Sequence, residues 1–402
     1  MYSRIGTGHN NVEGNIVRTV ITAAQLLTPE TCIERPIVVV EDGQIASIQS
    51  AEAVPMPAAE RHLDYAGSIL APAFFDIHTH GARGRDVMEA STDALDTIGL
   101  FLASRGVGSY FPSTVTASEE EILRALDGLA QQVERVDHPG ARPVGIHLEG
   151  PFLSCEQRGV HPPQDLQAPT IELFERFFQA ARGHIALVTV APELPGAVEM
   201  IEHATRKGVR ISMGHSNARA QAALAGIAAG ACSATHTFNA MRPISHRDPG
   251  VLDVVLDRED LFAEIICDKI HVNPSAVRLF WKAKGPQRSI LITDATSATG
   301  MPNGNYRLGS FEITLVDGTC LLNGGLAGSA LTLDRALQNF MECTQCGLQA
   351  ALRCMTANPA AMTGLEKKIG HLQVGMSADI TVLAASGAVQ ATILRGVPAQ
   401  IP

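Results

Sequence analysis

Eight short apolar segments alternate with helical ones through the middle of the chain, and this alternation restricts the fold more than any other feature. Near-continuous apolar strands that alternate with helices predict a parallel sheet buried on both faces. Eight such units predict an α/β fold, a closed (β/α)8 TIM-like barrel, which takes about 250 residues. The apolar segments are 71–80, 108–116, 142–150, 184–193, 209–216, 232–238, 261–272 and 289–295.

The two chain ends contain strands of a different kind. Residues 17–50 hold β-branched runs broken by a Glu-Asp-Gly turn signal, and residues 370–396 repeat short strand-like runs with glycine turns. We therefore expect both ends to form one small β-sandwich domain that the barrel interrupts. The expected division is 1–70 with 366–402 for the small domain, 71–365 for the catalytic barrel, and 300–325 for a β-hairpin inserted after the eighth strand.

Composition excludes several classes of protein. The 402 residues include 31 Lys and Arg against 41 Asp and Glu, and a net charge of −10 argues against nucleic-acid binding, which needs a basic surface. No run of about 20 apolar residues is present, and the polar N-terminus lacks the apolar core of a signal peptide. Eight cysteines form no disulfide framework in a chain of this length. We expect a cytoplasmic protein without nucleic-acid or membrane partners.

Ligand-type side chains end five of the eight predicted strands. A lone histidine or carboxylate in such a position is ordinarily a hydrogen-bonded core or surface residue, but burying five of them without partners would be costly. The C-terminal strand ends of a barrel surround one mouth, where active sites lie, so these side chains should converge. They are His78 and His80 on the first strand, His147 and Glu149 on the third, His215 on the fifth, His236 on the sixth and Asp294 on the eighth.

This pattern predicts a site for a divalent metal ion. His78 and His80 lie two residues apart, and strand side chains alternate with period two, so both point the same way. Imidazole and carboxylate ligands suit Zn²⁺, Fe²⁺ or Mn²⁺, with zinc as the first choice. The CxxC pair Cys343 and Cys346 lies in a helical stretch without a second pair, so we expect ordinary buried thiols there.

Around these residues the sequence resembles the N-acetylglucosamine-6-phosphate deacetylases of the amidohydrolase superfamily. The order and spacing fit from about residue 20 to 390. The His-x-His pair is common to the superfamily, whereas HLEGP, GHSNA and THTFNAM in this order are specific. The matching stretches are DIHTHG (76–81), GIHLEGPF (145–152), RGVHP (158–162), TVAPE (189–193), GHSNA (214–218), THTFNAMRP (235–243), RDPG (247–250), DKIHVNP (268–274), ITDAT (292–296) and LAGSALTLD (326–334).

The resemblance implies the same barrel and small β-sandwich, and hydrolysis of N-acetylglucosamine 6-phosphate to glucosamine 6-phosphate and acetate. It also implies that Glu149, His215 and His236 hold the principal ion. His78 and His80 match a pair that holds a second ion in some members, with Glu149 bridging, so one or two ions per subunit are expected. The fourth strand ends without a lysine, which argues against relatives that bridge two ions with a modified lysine.

The resemblance also implies how the amide is hydrolysed. A bound ion lowers the pKa of its water from about 15.7 towards 7, which makes hydroxide available at neutral pH. Asp294 would accept the proton of this water and pass it to the departing amine. His161, in the RGVHP loop, would polarise the acetamide oxygen together with the metal; the alternative is a plain loop histidine beside Pro162. The thiol of Cys155 in the same loop is expected to be buried.

A 6-phosphate needs a local positive site in an acidic protein, and the resemblance implies four contributors. They are Arg247, His271 and the backbone amides of Asn239 and Ala240. Arginine suits phosphate because its planar fork can donate two hydrogen bonds. Alternatives are a surface ion pair of Arg247 with Asp248 and a supporting role for His271 behind the metal ligands. Relatives are usually dimers, so a homodimer is expected, in which a neighbouring subunit could complete the phosphate site.

Three other functions stay open from the sequence. A close alternative is the deacetylation of N-acetylgalactosamine 6-phosphate or of another N-acyl amine, since one hydroxyl configuration separates the two sugars. A more distant one is a cyclic-amide hydrolase or a deaminase, against which the HLEGP glutamate counts. A catalytically inactive barrel that serves as a binding protein would have lost ligands, yet Asp294 and the metal-site residues are all present.

Overall fold

The computed structural model describes residues 17–400. Residues 1–16 and 401–402, which the predicted small domain includes, lie outside the described residues. The described residues form two parts: a barrel from the middle of the sequence and a sheet from both ends.

Eight parallel strands close into the barrel. The third to sixth strands pair in parallel, with register shifts in two of these pairs, and the seventh pairs in parallel with the eighth. Backbone hydrogen bonds join the sixth strand to the seventh, such as that from the Thr237 amide to the Glu264 carbonyl at 2.8 Å. Closure runs from the eighth strand to the first, where the His80 amide donates to the Ala295 carbonyl at 2.7 Å. The barrel strands, first to eighth, are Phe74–Thr79, Val107–Pro112, Ile146–Glu149, Ile185–Val190, Arg210–Met213, Ala231–Ala234, Ala263–Ile266 and Ser289–Ile292.

Helices cover the barrel, and four of those described begin at a residue whose side chain caps the first turn. In the helix Glu119–Glu134, the Ser118 side chain accepts from the Glu121 amide and the Glu121 carboxylate accepts from the Ser118 amide, so the first turn is satisfied from both sides. Within residues 17–400, none of the helices combines the length and apolar composition needed to cross a membrane. The helices are Thr92–Ala103, Glu119–Glu134, Ile171–Ala180, Ala197–Arg206, Ala220–Ala229, Val251–Asp257, Pro274–Arg288, Leu333–Thr344, Leu348–Arg353 and Ala357–Thr363, with short 3-10 turns at Val87–Glu89 and Pro163–Asp165.

Both chain ends contribute strands to one sheet, which confirms the predicted small β domain. Its long strand Arg61–Pro72 pairs in parallel with Arg18–Leu27 and antiparallel with Ile380–Leu383, so the start and end of the chain meet on it. The eight strands belong to a single hydrogen-bonded sheet with buried apolar residues on both faces. They are Arg18–Leu27, Cys32–Glu34, Pro36–Glu41, Gln44–Ser50, Arg61–Pro72, Ile380–Leu383, Val389–Leu394 and Val397–Pro398.

The segment predicted as a hairpin insert forms four antiparallel strands. Gly304–Leu308 and Phe311–Val316 form the predicted hairpin, and Thr319–Leu322 and Gly325–Leu326 extend it by two further strands. The Gly309 amide in the first turn donates to the buried Asp86 carboxylate at 2.8 Å, which fixes this small sheet beside the barrel mouth. Three short two-residue strands complete the fold: Gly81–Ala82, Arg85–Asp86 and Arg142–Pro143.

An ion pair and hydrogen bonds join the barrel to the sheet. Arg142, just before the third barrel strand, contacts the buried Asp379 carboxylate at 2.8 Å, and the Arg395 amide donates to the other oxygen of this carboxylate at 2.8 Å. The Thr381 hydroxyl donates to the carbonyl of Gly106 at 2.6 Å. These polar contacts hold the barrel and the sheet in one arrangement. Separation of the two would leave the Asp379 carboxylate and the Thr381 hydroxyl without their hydrogen-bond partners, which costs free energy.

Loss of the junction carboxylate is expected to destabilise the protein. Asp379→Ala leaves the Arg142 guanidinium and the Arg395 amide without their acceptor, and a hydrogen bond to a charged group contributes about 1.5–3 kcal/mol. We expect the free energy of unfolding to fall by about 2 kcal/mol in a urea titration. The matched control is Glu52→Ala in the exposed Arg35 pair of the same sheet, which should cost less than about 1 kcal/mol. Equal effects of the two variants would contradict the role of the junction.

Candidate metal centre and active site

The barrel strands bring the predicted ligands together at one mouth. The side chains come from the ends of the first, third, fifth, sixth and eighth strands, and all of them are buried. They form two groups whose ligand atoms lie within 4.8 Å of one another. One group contains His78, His80 and Asp294; the other contains Glu149, His215 and His236.

Glu149 lies between the two groups. Its Oε2 is 3.2 Å from the Nε2 of His78 and 3.1 Å from that of His80. Its Oε1 is 3.4 Å from the Nε2 of His215 and 3.2 Å from that of His236. Each carboxylate oxygen therefore faces one pair of imidazoles, an arrangement in which a single glutamate can bridge two ions.

In three of the imidazoles, Nδ1 lies against a hydrogen-bond acceptor. This contact fixes the direction of Nε2 on the other side of the ring. The Nδ1 of His80 donates to the carbonyl of Ser113 at 3.0 Å, and the Nδ1 of His215 donates to the carbonyl of Gln157 at 2.9 Å. The Nδ1 of His78 lies 3.3 Å from the Glu264 carboxylate. In the neutral form of these rings, which binds metals, the proton stays on Nδ1 and the lone pair of Nε2 points into the site.

The electrostatics of the site favour a cation. Burial acts to lower the pKa of His78, but the carboxylates of Glu149 and Asp294 raise it well above its ordinary value. Burial also acts to lower the pKa of His80, but the same two carboxylates outweigh burial and raise this pKa to about 9. Two carboxylates that stabilise positive charge here would also stabilise a divalent ion. The donors are nitrogen and oxygen without thiolates, which fits Zn²⁺, Fe²⁺ or Mn²⁺.

Histidine 147 has a different surrounding, although it precedes Glu149 by two residues. Its Nδ1 contacts the Ser113 hydroxyl at 2.9 Å and its Nε2 contacts the Thr189 hydroxyl at 2.8 Å. Burial and the neighbouring His78 lower its pKa well below the ordinary value. With both ring nitrogens engaged, His147 is a neutral residue of the barrel interior and lies outside both groups.

The backbone at Asp294 is held in an uncommon conformation. Its φ is 51°, and His215 and His236 also have positive φ, of 47° and 30°. Such strain persists only where surrounding bonds hold it, and it concentrates at functional sites. Here the Asp294 amide donates to the His78 carbonyl at 2.9 Å, and its carbonyl accepts from the Ser329 amide at 2.7 Å.

The Asp294 carboxylate is placed for proton transfer. Its Oδ1 lies 3.1 Å from the Nε2 of His80, and the residue lines the cavity. Burial acts to raise its pKa, but His78 and His80 lower it to about 2. Asp294 is therefore ionised at neutral pH and can accept a proton.

His161 reaches the same cavity from the loop after the third strand. Its Nδ1 accepts a hydrogen bond from the Thr116 amide at 3.3 Å and contacts the Thr116 hydroxyl at 2.8 Å. An amide only donates, so this nitrogen is the acceptor and the proton of the neutral ring lies on Nε2. Burial and the nearby His215 lower the pKa of His161 to about 3, so the ring is neutral. The expectation that Cys155 of this loop is buried was wrong, since it is exposed.

A cavity of about 440 Å³ opens beside the two groups, within the range of small-molecule sites. The four-stranded insert supplies apolar side chains to its wall, and the loop after the third strand supplies polar ones. Its lining includes Val115, Glu156, Arg158, Val160, His161, Asn239, Ala240, His271, Asp294, Leu308, Phe311 and Leu326.

The predicted phosphate contacts divide into those at the cavity and one outside it. His271, Asn239 and Ala240 line the cavity. The Asn239 amide, however, donates to the His236 carbonyl at 3.0 Å, so it is not the free donor that the prediction requires. Within residues 17–400 no backbone bond engages the Ala240 amide. Arg247 is exposed and is absent from the lining of this cavity in the described chain.

The alternative considered for Arg247, a surface ion pair with Asp248, is not formed among the described residues. Its expected partner Asp248 instead contacts Arg242 and, at 3.5 Å, Arg219. Arg242 also donates to the Asn217 side chain at 3.4 Å, which gives this residue a structural place in the loop after the sixth strand.

Three residues of the site were not predicted from the sequence. Glu264 lies in the middle of the seventh strand, fully buried, behind His78; Asp268 contacts His271; Thr116 contacts His161. A charge inside the apolar run FAEII was the one available signal for Glu264, because a buried carboxylate needs partners. The sequence around Thr116 gives no such signal, because its partner His161 lies 45 residues further along the chain.

Comparisons with known proteins agree with this architecture. The profile described as "Amidohydrolase family" matches residues 69–398. N-acetylgalactosamine-6-phosphate deacetylase of Escherichia coli O157:H7 is 35% identical over 378 residues, 94% of this chain and 98% of that protein. N-acetylglucosamine-6-phosphate deacetylase of Bacillus subtilis (strain 168) is 34% identical over 374 residues, 92% and 94% of the two chains. The structure of N-acetyl-D-glucosamine-6-phosphate deacetylase from Mycobacterium smegmatis superposes with a TM-score of 0.88, at 32% identity, over 95% of this chain and 100% of that one.

These similarities extend along nearly the whole chain and include both the barrel and the small sheet. They confirm the resemblance that the motifs indicated and the fold class predicted from the alternation of strands and helices. The chain therefore belongs to the amidohydrolase family, and within it to the deacetylases of amino-sugar phosphates.

Proposed function

We propose that the protein hydrolyses the acetamide of N-acetylglucosamine 6-phosphate to glucosamine 6-phosphate and acetate. One observation carries this proposal: the Nε2 atoms of four histidines lie 3.1–3.4 Å from the Glu149 carboxylate, directly beside a cavity that Asp294 lines. The curated relatives named above make an amino-sugar phosphate the best-supported substrate class.

The residues that would hold the metal follow from the two groups. Glu149, His215 and His236 would hold the principal ion, and His78 and His80 a second one, with Glu149 shared. When bound, a divalent ion of this kind polarises the acetamide carbonyl and makes water acidic enough to attack it. We propose zinc, with iron or manganese as alternatives, because the donor set is imidazole and carboxylate.

The chain's own residues would move the protons. Asp294, ionised at neutral pH, would accept a proton from the attacking water and later deliver it to the amine that leaves. His161 would donate from Nε2 to the acetamide oxygen, where negative charge develops in the transition state. Its neutral state supports this role, because the proton on Nε2 is held there by the Thr116 amide.

The phosphate would be bound by His271 and the Ala240 amide in the same chain. Arg247 would complete the site from a second subunit, and its exposed position outside the cavity of its own chain supports a homodimer. We also propose a cytoplasmic location, since all eight cysteines are free thiols, as suits a reducing compartment.

A second candidate substrate is the galactosamine epimer. The Escherichia coli relative, at 35% identity, is named for N-acetylgalactosamine 6-phosphate, and its identity to this chain matches that of the glucosamine enzymes. The two sugars differ only at one hydroxyl, so both would present the same acetamide and phosphate to the residues described.

Acetate release separates these proposals. The purified protein, with its metal content determined, is incubated with N-acetylglucosamine 6-phosphate, its galactosamine epimer and unphosphorylated N-acetylglucosamine. We expect the highest kcat/KM on the glucosamine phosphate. Faster release from the epimer would transfer the assignment to that sugar. A metal-loaded protein that releases acetate from none of the three would overturn the amino-sugar assignment.

A further inference from the structure

A buried carboxylate lies directly behind the one histidine that faces the cavity from the loop after the seventh strand. The Oδ2 of Asp268 is 2.6 Å from the Nδ1 of His271. Both side chains are nearly enclosed, with 10% and 7% of their surface exposed. The contact engages the ring nitrogen that faces away from the cavity, which leaves Nε2 as the atom available to a ligand.

Backbone bonds fix this carboxylate independently of the histidine. The Oδ1 of Asp268 accepts from the amides of Ile270 and His271, both at 2.8 Å. One oxygen is therefore committed to the loop and the other to the imidazole, so the ring has one orientation. Within residues 17–400, no protein atom makes a hydrogen bond to the Nε2 of His271, although the residue lines the cavity.

The carboxylate also favours the protonated form of His271. Burial acts to lower the pKa of His271, but the hydrogen bond and charge of Asp268, with the more distant Asp294, raise it above the ordinary value. His161, in contrast, is neutral. Arg158 also lines the cavity, and its guanidinium donates to the Cys155 carbonyl at 3.1 Å.

We propose that Asp268 is a positioning residue that holds His271 as a positively charged donor, and that this pair makes the enzyme prefer a 6-phosphorylated sugar over the free sugar. The inference rests on the proposed function and adds a determinant of substrate choice that acts through His271. The charge-assisted bond from His271 to a phosphate oxygen would be lost with the charge, since such bonds are about twice as strong as neutral ones.

The test is the preference of the Asp268→Asn variant. Asparagine keeps an oxygen for the two backbone amides but removes the negative charge behind the ring. We expect kcat/KM for N-acetylglucosamine 6-phosphate to fall about 10- to 100-fold, while that for unphosphorylated N-acetylglucosamine stays within about twofold. Inhibition by inorganic phosphate should weaken in parallel. Asp260→Asn, an exposed aspartate upstream of this loop, is the matched control and should leave both values unchanged.

A double variant guards against a misfolded Asp268→Asn. If Asp268 acts through His271, adding Asp268→Asn to His271→Gln should cost no further preference, because the group that it charges is already gone. A single variant that slows both substrates equally, or one that retains the wild-type preference, would overturn the inference. Wild-type protein without acetate release from any substrate would instead defeat the proposed function itself.

Discussion

Replacement of Asp294 by asparagine is expected to lower kcat by about 10³-fold while the protein keeps at least one metal ion per chain. The amide cannot accept the proton of the attacking water, and general acid–base residues contribute about 10²–10⁴-fold. Glu149, His215 and His236 form a group that does not include Asp294, so the ion that they would hold should remain. The measurements are steady-state acetate release and metal analysis by mass spectrometry.

The backbone conformation of Asp294 makes this result specific. Asp294 occupies a left-handed conformation, which asparagine tolerates well, so the backbone bonds to His78 and Ser329 should survive the change. The melting temperature should therefore stay close to that of the wild type. An Asp294→Asn variant with wild-type kcat would remove this carboxylate from the mechanism, and one without any metal would make it a ligand of the principal ion.

The barrel could be predicted because each of its strands is a short apolar run flanked by helical sequence. Burial on both faces requires such runs, and each of the eight overlaps a strand of the barrel, although Val107–Pro112 and Ala231–Ala234 begin one residue earlier than predicted. The insert was harder to predict. Its last strand, Gly325–Leu326, is only two residues long and exposed, so no apolar pattern distinguishes it from a loop. Pairing with Thr319–Leu322 is what makes it a strand.

The convergence of the candidate ligands could be predicted to the same degree, because these residues share one feature, a position at the end of a barrel strand. The residues behind the ligands do not share it. Glu264 lies in mid-strand, and Asp268 and Thr116 act through partners that the fold brings to them. For Arg247 the sequence motif could be recognised, but the fold of a single chain does not bring this residue to the cavity. Contacts between distant segments leave no periodic signal in the sequence.

Glutamine at position 149 is expected to have the second large effect, the loss of metal from both groups. An amide has one oxygen and no negative charge, whereas the two oxygens of Glu149 each face a pair of imidazoles at 3.1–3.4 Å. We expect the metal content after gel filtration to fall below about a tenth of the wild-type value and kcat to fall by about 10³-fold or more, since metal activation of the attacking water is lost with it. Glu156→Gln, which lines the same cavity outside both groups, should keep its metal.

Comparison with His236→Ala then reports how many ions the site holds. His236 belongs to one group only, so its loss should remove the principal ion and leave the His78 and His80 pair with Glu149 and Asp294. A wild type with two ions per chain, a His236→Ala protein with about one and a Glu149→Gln protein with almost none would establish the bridge. If Glu149→Gln and His236→Ala lose the same single ion, the enzyme works with one metal, and the two histidines of the first strand serve another purpose. A Glu149→Gln protein that keeps the full wild-type metal content would contradict the ligand role of this residue altogether.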